Sequence, residues 1–562
     1  MKSLKFQYLL LFFSLFTFSF SVYSRQLSKD SQDRLSKLLE SFDQKNAPGF
    51  VLKVIRDGEV LFEKNTGLAN LETKEKNNDE TVFRVASLSK QFTAACILLL
   101  EEKGLVNLDD PISLYFPSFP DYADEITIRH LIHHTSGLRD FFKLADLSGY
   151  NEDDFNSEEA VLNMIGRQKK LNFAPGEDML YNNSGYFLLA RIVKEVSGKS
   201  IGDFASDELF KPLGMSNTQF FNNETHKVKN RAYGYSLGDS DKYELNESNL
   251  MITGDGGLFT TANDMVKWLD NFYVNKLPIT DFADRMYTKG KLNDGTELSY
   301  AFGLEHADIM GMDCIEHSGA YVGFRSALIN IPQKKLSIVC LGNLSNLQPE
   351  QICRKVAEIV LEEGFKKPEV TQERKPLPFE RRAINIPEKT FEIYSGKYEL
   401  GNGQILQFYT ENNRYYVDII GQTVIELFPE SIMSFFVKET DLSFSFITDK
   451  EGNAIFSILS INNKRLLAKR VNTTTGMNNK EMVDYVGAYY NEELDVVYKL
   501  MMLDKKLFIQ IGNKPFEEIG MIKQDKMILG EGMAEFHRDG KGKVASFLLE
   551  AGSVKDLLFV KR

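Results

Sequence analysis

A serine followed three residues later by a lysine, at the start of a helical pattern, is the arrangement in this chain closest to covalent chemistry. Ser87-Leu88-Ser89-Lys90 follows the apolar run Val82-Phe83-Arg84-Val85-Ala86. On a helix, positions three apart share a face one turn apart. A serine hydroxyl is a weak nucleophile until a neighbouring base takes its proton, and an uncharged lysine amine can be that base. The first turn of the helix adds backbone N–H groups that can face a developing oxyanion. Taken alone, Ser-x-x-Lys is a common match whose ordinary meaning is a cap beside a solvated lysine. Two further elements give it weight by their order. Tyr181-Asn182-Asn183 follows Phe173-Ala174-Pro175-Gly176, and His317-Ser318-Gly319 ends a strand-like run.

Rival chemistries have less support. Gly234-Tyr235-Ser236-Leu237-Gly238 matches the Gly-x-Ser-x-Gly elbow, which needs a buried strand before it and a helix after it. Here polar segments flank it on both sides. His130 and His134 have helical i, i+4 spacing and His133 lies between them, but no His-Glu-x-x-His glutamate accompanies them, so no metal site is expected. Cys96, Cys314, Cys340 and Cys353 are not in Cys-x-x-Cys spacing and are too few for a disulfide-built scaffold. They read as partly buried thiols. The net charge of −12, without a long basic run, argues against nucleic-acid binding. Neither a Walker loop nor a dinucleotide fingerprint occurs, and no cofactor is expected.

With its motifs in the order Ser-x-x-Lys, Tyr-x-Asn, His-x-Gly, the sequence resembles the serine β-lactamase and penicillin-binding superfamily. The likeness is to the class C-like branch with its D-aminopeptidases, carboxypeptidases and esterases. Ile126–Leu138, Gly254–Leu269 and Tyr300–Leu304 resemble that family too. The resemblance covers about residues 46–345. It implies that Ser87 is the acylated nucleophile, that Lys90 accepts its proton and that Tyr181 shuttles it to the leaving group and activates water. Asn183 would bind the substrate amide and Lys90. The N–H groups of Ser87 and Ala320 would form the oxyanion hole, and the strand bearing His317, Ser318 and Gly319 would receive substrate as an added edge strand.

One departure matters. Many β-lactamases and carboxypeptidases carry Lys-Thr-Gly at the third motif, where a fixed cation suits a carboxylate. His-Ser-Gly offers a histidine that is only partly charged near neutral pH. The resemblance therefore implies an exported serine hydrolase that cleaves a small amide, a peptide (D-amino-acid-containing ones included) or an ester through an acyl-enzyme. The alternatives are a β-lactamase or D-Ala-D-Ala carboxypeptidase, and a non-catalytic binding protein on the same fold.

The elements that must position these residues can be read as well. Asp33–Phe42 reads as a helix. Phe50–Ile55 and Val60–Glu63 flank an Asp-Gly turn and read as a hairpin. A long helix is expected from about Ser87 to Lys103, ended by Gly104. Strand-like runs follow at Asp313–Glu316, Phe324–Ile331 and Leu336–Leu341, then a helix over about Pro349–Glu363. Strands at both ends with helices between predict one sheet made from both ends of an α+β hydrolase domain over 25–365.

Residues 1–24 read as a secretory leader, with an uncleaved membrane anchor as the alternative. Lys2 and Lys5 precede an apolar stretch from Tyr8 to Val22, and small or aliphatic residues stand before a cut after Ser24. No later segment reaches the ~18 apolar residues of a membrane span. A secreted or periplasmic protein is expected, with no stable membrane span once the leader is gone and a small peptide, amide or ester as its substrate.

Proline among charges over 366–389 marks a linker. Beyond it an internal repeat appears. Tyr394-Ser395-Gly396-Lys397-Tyr398 recurs as Tyr485-Val486-Gly487-Ala488-Tyr489, and Lys469-Arg470 recurs as Lys561-Arg562. Each copy alternates with period two, as in Leu442-Ser443-Phe444-Ser445-Phe446. Two tandem antiparallel β-barrels or sandwiches are predicted, over 390–472 and 480–562, joined by Thr473–Asn479, and they look lipocalin-like. Hydrolase domain plus two barrels also looks like the D-aminopeptidase architecture.

Overall fold

Strands from the two ends of the hydrolase region meet in one sheet. The computed structural model describes residues 26–150, 157–221, 228–238, 242–363 and 383–562, the last stretch without 385, 401–403, 412–413, 421–422, 439–441, 450–451, 462–463, 472–478 and 531. The expected leader, most of the expected linker and nearly all of the expected junction between the β domains lie outside the described residues.

Helix α1 (Lys29–Glu40) leads into strands β1 (Phe50–Arg56) and β2 (Glu59–Asn65). Asp57 and Gly58 turn between them, both at positive φ (54° and 78°), as the tight hairpin turn requires. Helices α2 (Ser89–Glu102), α3 (Asn183–Ser197) and α4 (Ala262–Val274) come next. The sheet resumes with β3 (Glu305–Ile309), β4 (Met312–Tyr321), β5 (Phe324–Ile331) and β6 (Leu336–Gly342), and α5 (Pro349–Glu362) follows. The strand order is β3-β4-β5-β6-β1-β2. The two chain ends join where β1 pairs antiparallel with β6, from Phe50 opposite Gly342 to Arg56 opposite Leu336.

Both faces of the sheet are covered, as the apolar runs of β1 and β6 demand. On one face, Leu35 and Leu39 of α1 and Val356 and Val360 of α5 bury Leu52 and Ile338. On the other lies a helical layer around α2, whose residues from Ser89 to Leu100 are all buried. A helix without a solvent face sits at the centre of its domain, and α2 carries Lys90 there.

The two copies of the repeat differ in closure. The first is a closed eight-stranded barrel from Gly396–Leu400 to Lys464–Val471, which pair with each other. Aromatics such as Tyr398, Phe408, Phe435, Phe444 and Phe446 fill it. The second is a half-barrel, an open sheet of nine strands, so the two expected antiparallel β domains are both present. Its edge strands, Glu517–Glu518 and Gly520–Lys523, follow one another in the chain.

Equivalent positions of the copies make equivalent contacts. Tyr398 donates to the Tyr394 carbonyl at 3.0 Å and Tyr489 to the Tyr485 carbonyl at 2.8 Å. Gly396 and Gly487 both take positive φ, and a Cβ there would meet the side chain of Arg470 or Lys561. The core of the closed barrel stands by itself. Tyr489, Tyr498, Phe547 and Phe559 of the open sheet instead continue the hydrolase core without a break. All four cysteines are free and buried.

Each paired tyrosine hydroxyl satisfies a carbonyl of the preceding turn. Tyr398→Phe and Tyr489→Phe should each lower unfolding stability by about 1 kcal/mol, since the carbonyl loses its buried donor. Urea unfolding checks this. An unchanged midpoint would mean that the bond does not hold the turn.

Candidate active site

Ser87 sits at a break in the chain direction rather than on a regular helix. A 3-10 turn spans Ala86–Leu88 and α2 begins two residues later than the sequence pattern suggests, at Ser89. Ala86 is the cause. Its φ of +48° is a left-handed conformation that costs a non-glycine residue about 1–2 kcal/mol. The surroundings hold it there. Ser89 Oγ donates to the Ala86 carbonyl at 2.5 Å and accepts from the Leu258 N–H at 3.1 Å, and Ser326 Oγ donates to the Val85 carbonyl at 2.8 Å. The second serine of Ser-x-x-Lys therefore shapes the turn.

Lys90 is fully buried, and its Nζ lies 3.1 Å from Ser87 Oγ, 2.8 Å from Asn183 Oδ1 and 2.8 Å from the Asp255 carbonyl. Those last two oxygens can only accept. An uncharged amine has two hydrogens and one lone pair. In its uncharged form, with both hydrogens on Asn183 and Asp255, the amine would turn its lone pair to the Ser87 hydroxyl. Tyr181 lies against the same amine, with Nζ 4.8 Å from its ring centre.

Asn183 opens α3, and Asn182 caps it by accepting from the Gly185 N–H at 2.9 Å. The segment 134–140 forms a bed beneath this helix start. His134 Nδ1 accepts from the Asn182 N–H, the Leu138 carbonyl from Asn182 Nδ2, the Arg139 carbonyl from Ser184 Oγ, and Asp140 Oδ2 from the Asn183 N–H at 2.6 Å.

Strand β4 brings the third motif. It pairs with β5 as far as Tyr321, but with β3 only up to Glu316. From His317 to Tyr321, including Ser318, its other edge is unpaired by any strand among the described residues. Gly319 is required for close approach, because a Cβ there would lie 2.2 Å from the Val85 carbonyl oxygen and 3.1 Å from the Ser87 nitrogen. Ser87, Tyr181, Asn183 and Ala320 all line one cavity of about 290 Å³, together with Phe142 and Tyr321.

His317 stands beside this cavity, its ring centre 6.2 Å from that of Tyr181. Its Nδ1 is 2.7 Å from the Ser318 carbonyl and its Nε2 is 3.0 Å from the Tyr300 hydroxyl. A carbonyl can only accept, so Nδ1 carries the proton and Nε2 accepts from Tyr300. Burial, with the Lys90 charge nearby, lowers the His317 pKa to about 4. The ring is therefore neutral near pH 7, where the sequence suggested partial charge. His134 is held well below its usual range by burial and the same lysine charge. The buried carboxyl groups move the other way. Asp140 is raised by burial and Asp255 is pushed up to about 6 by burial, against the pull of Lys90.

The structure brings together every residue expected at the site and adds four. His134 lies under Tyr181 with ring centres 4.3 Å apart, Tyr300 supports His317, Asp140 holds the Asn183 amide, and the Asp255 carbonyl holds Lys90. Three of them lie within the stretches quoted above for their resemblance, and Asp140 comes two residues after the first. His130 and His133 serve elsewhere. His130 accepts from the Thr127 N–H in a helix cap and His133 packs on Phe302. Among the described residues no group of three His, Cys, Asp or Glu could hold a metal ion. The Gly-x-Ser-x-Gly match falls on Tyr235–Leu237, which pairs with Tyr243–Leu245 in a two-stranded sheet and not in a strand-to-helix elbow.

Known proteins resemble this chain. The family described as Beta-lactamase matches residues 34–361. "Penicillin-binding protein 4*" of Bacillus subtilis is 29% identical over 451 residues, which cover 76% of this chain and 97% of that protein. A D-aminopeptidase of Gluconobacter oxydans is 29% identical over 297 residues, covering 53% of this chain and 56% of that protein. Among solved structures, the octameric penicillin-binding protein homologue from Pyrococcus abyssi is 25% identical with a TM-score of 0.55, covering 78% of this chain and 99% of that one. Because the matched family spans the six-stranded sheet and the whole set from Ser87 to Ala320, the chain belongs to the Beta-lactamase family of serine hydrolases.

Proposed function

We propose that this protein cleaves small amides, peptides or esters through an acyl-enzyme on Ser87. The observation that carries the reading is the buried Lys90 amine, 2.8 Å from both Asn183 Oδ1 and the Asp255 carbonyl and 3.1 Å from Ser87 Oγ. The Ser87 hydroxyl passes its proton to Lys90 as Oγ bonds to the substrate carbonyl carbon. The resulting oxyanion lies between the Ser87 and Ala320 N–H groups. Tyr181, packed on the Lys90 amine, carries the proton to the leaving nitrogen or oxygen, and the bond to the leaving group breaks. Water, activated by the same pair, then releases the acid and restores Ser87. Substrate adds along the open edge of β4 as a short strand, with its amide held by Asn183.

A neutral His317 with both ring nitrogens occupied offers no fixed cation to a substrate carboxylate. Uncharged amides, esters and peptides reaching into the site with a neutral end fit better than a β-lactam or a D-Ala-D-Ala terminus. The name of the D-aminopeptidase relative supports an amide substrate, D-amino-acid amides among them. The leader read over 1–24 supports action outside the cytoplasm.

Three outcomes are expected. Ser87→Ala should abolish turnover and labelling by a fluorescent acyl probe without changing the unfolding midpoint, because one partly exposed hydroxyl adds little to stability. Wild-type turnover in that variant would refute the nucleophile. For the amide-capped and free-carboxylate forms of one peptide, kcat/KM should favour the capped form, and His317→Lys should shift the ratio toward the carboxylate by about 10–100-fold, the worth of a charge-assisted hydrogen bond. An unchanged ratio would show that His317 does not face the acidic end.

The third outcome concerns pH. Between about pH 6.5 and 4 the unfolded chain protonates this histidine while the folded chain does not, so stability is lost as pH falls. From pH 7 to 5 the wild type should lose about 1–2 kcal/mol relative to His317→Gln. Parallel pH profiles of unfolding would contradict the neutral assignment.

A further inference from the structure

The bed beneath Asn183 continues into the second β domain. Arg139 is fully buried, and its guanidinium donates to Glu493 at 2.7 Å, to the Gln168 side chain at 2.9 Å and to the Lys555 carbonyl at 2.6 Å. The Glu493 side chain is only 9% exposed, and its carboxylate also accepts the Lys169 N–H at 2.7 Å. Asn172 ties the same place, donating to the Ser553 carbonyl at 2.9 Å and accepting from the Lys555 N–H at 3.0 Å. Among the described residues, Glu493 is the carboxylate in ion-pair contact with Arg139. A buried guanidinium stripped of its carboxylate is strongly unfavourable, so the pair locks the two domains at this point.

One residue separates that lock from the catalytic apparatus. The Arg139 carbonyl accepts from Ser184, Asp140 holds the Asn183 N–H at 2.6 Å, and Asn183 holds Lys90 at 2.8 Å. The Arg139 side chain thus faces the β domain while its backbone and its neighbour face the active site.

We infer that Glu493 is a positioning residue for the hydrolase: through Arg139 it fixes the 134–140 bed, and so the distance between Asn183 and Lys90. The inference rests on the Ser87 reading given above. It assigns the second β domain a part in turnover, while the closed first barrel, with its separate core, has no such contact among the described residues.

The test compares E493Q, the double variant R139Q/E493Q and the control K169A in the full chain. K169A removes only the exposed partner of Glu492. The readouts are kcat and KM on a small neutral ester, the rate of acyl-probe labelling of Ser87, and the unfolding midpoint. Displacement of a positioned group by about 1 Å can cost on the order of 100-fold, so E493Q should lose about 10–100-fold in kcat and in labelling rate, with KM changed by less than about 3-fold. R139Q/E493Q removes the unpaired buried cation. It should recover the midpoint but not kcat, because a neutral pair of shorter reach leaves the bed unfixed. It also decides the matter if E493Q fails to fold. K169A should match the wild type in all readouts.

The inference is overturned if folded E493Q labels and turns over at the wild-type rate. It is equally overturned if the double variant regains kcat in step with its midpoint, which would make the lock a matter of stability alone. A wild type that the probe does not label at Ser87 would instead refute the catalytic reading on which the inference stands.

Discussion

A buried primary amine without water must find a polar partner in each direction it offers, and the Lys90 side chain sets that condition on three distant stretches of chain. Asn183 comes from the start of α3, the Asp255 carbonyl from the loop before α4, and Ser87 from the turn before α2. Neither Asn183 nor Asp255 can drift without leaving a buried donor unpaired, which costs more than a typical hydrogen bond gains. Much of the remaining structure answers to this. The capped start of α3, the bed at 134–140, and the Thr93 hydroxyl held on the Gly254 carbonyl at 2.7 Å all fix one of the three partners. The left-handed Ala86 is tolerated because it aims the Ser87 side chain at the Lys90 amine.

How much of this could be read in advance follows from how local each signal is. Ser87 and Lys90 share a face because of spacing alone, and the sheet strands carry their pattern in runs of Val, Ile and Leu. The α2 start was misplaced by two residues because the bend comes from Ala86, a residue type that gives no hint of positive φ. His134 looked like part of an idle histidine trio. What separates it from His130 and His133 is the Asn182 amide, which meets it across 48 residues. Asp140 and Asp255 were invisible as site residues for the same reason, since a lone aspartate acquires meaning only from what folding sets against it.

The tail shows the reverse. Its repeat was plain in the sequence, and the shared tyrosine bonds and glycines explain why: these positions carry the turn that starts each copy. The difference between the copies was not legible. The strand that would close the second sheet is broken near Ile519, and its core opens onto the hydrolase domain instead of closing on itself. Alternation with period two reports which face of a strand is buried, not what covers it.

The ion pair that joins Arg139 to the β domain also imposes an order of events. Glu493 lies 354 residues and Lys555 416 residues further along the chain. A chain made from its N-terminus can assemble the β1–β6 sheet while Arg139 still has none of these partners. Contacts of such separation form late, because the intervening chain must close before they repay it. The guanidinium of Arg139 therefore gains its carboxylate and carbonyl partners only once Glu493 and the strand Val554–Lys561 are in place, so this buried cation ties the fold of the hydrolase domain to the far end of the chain.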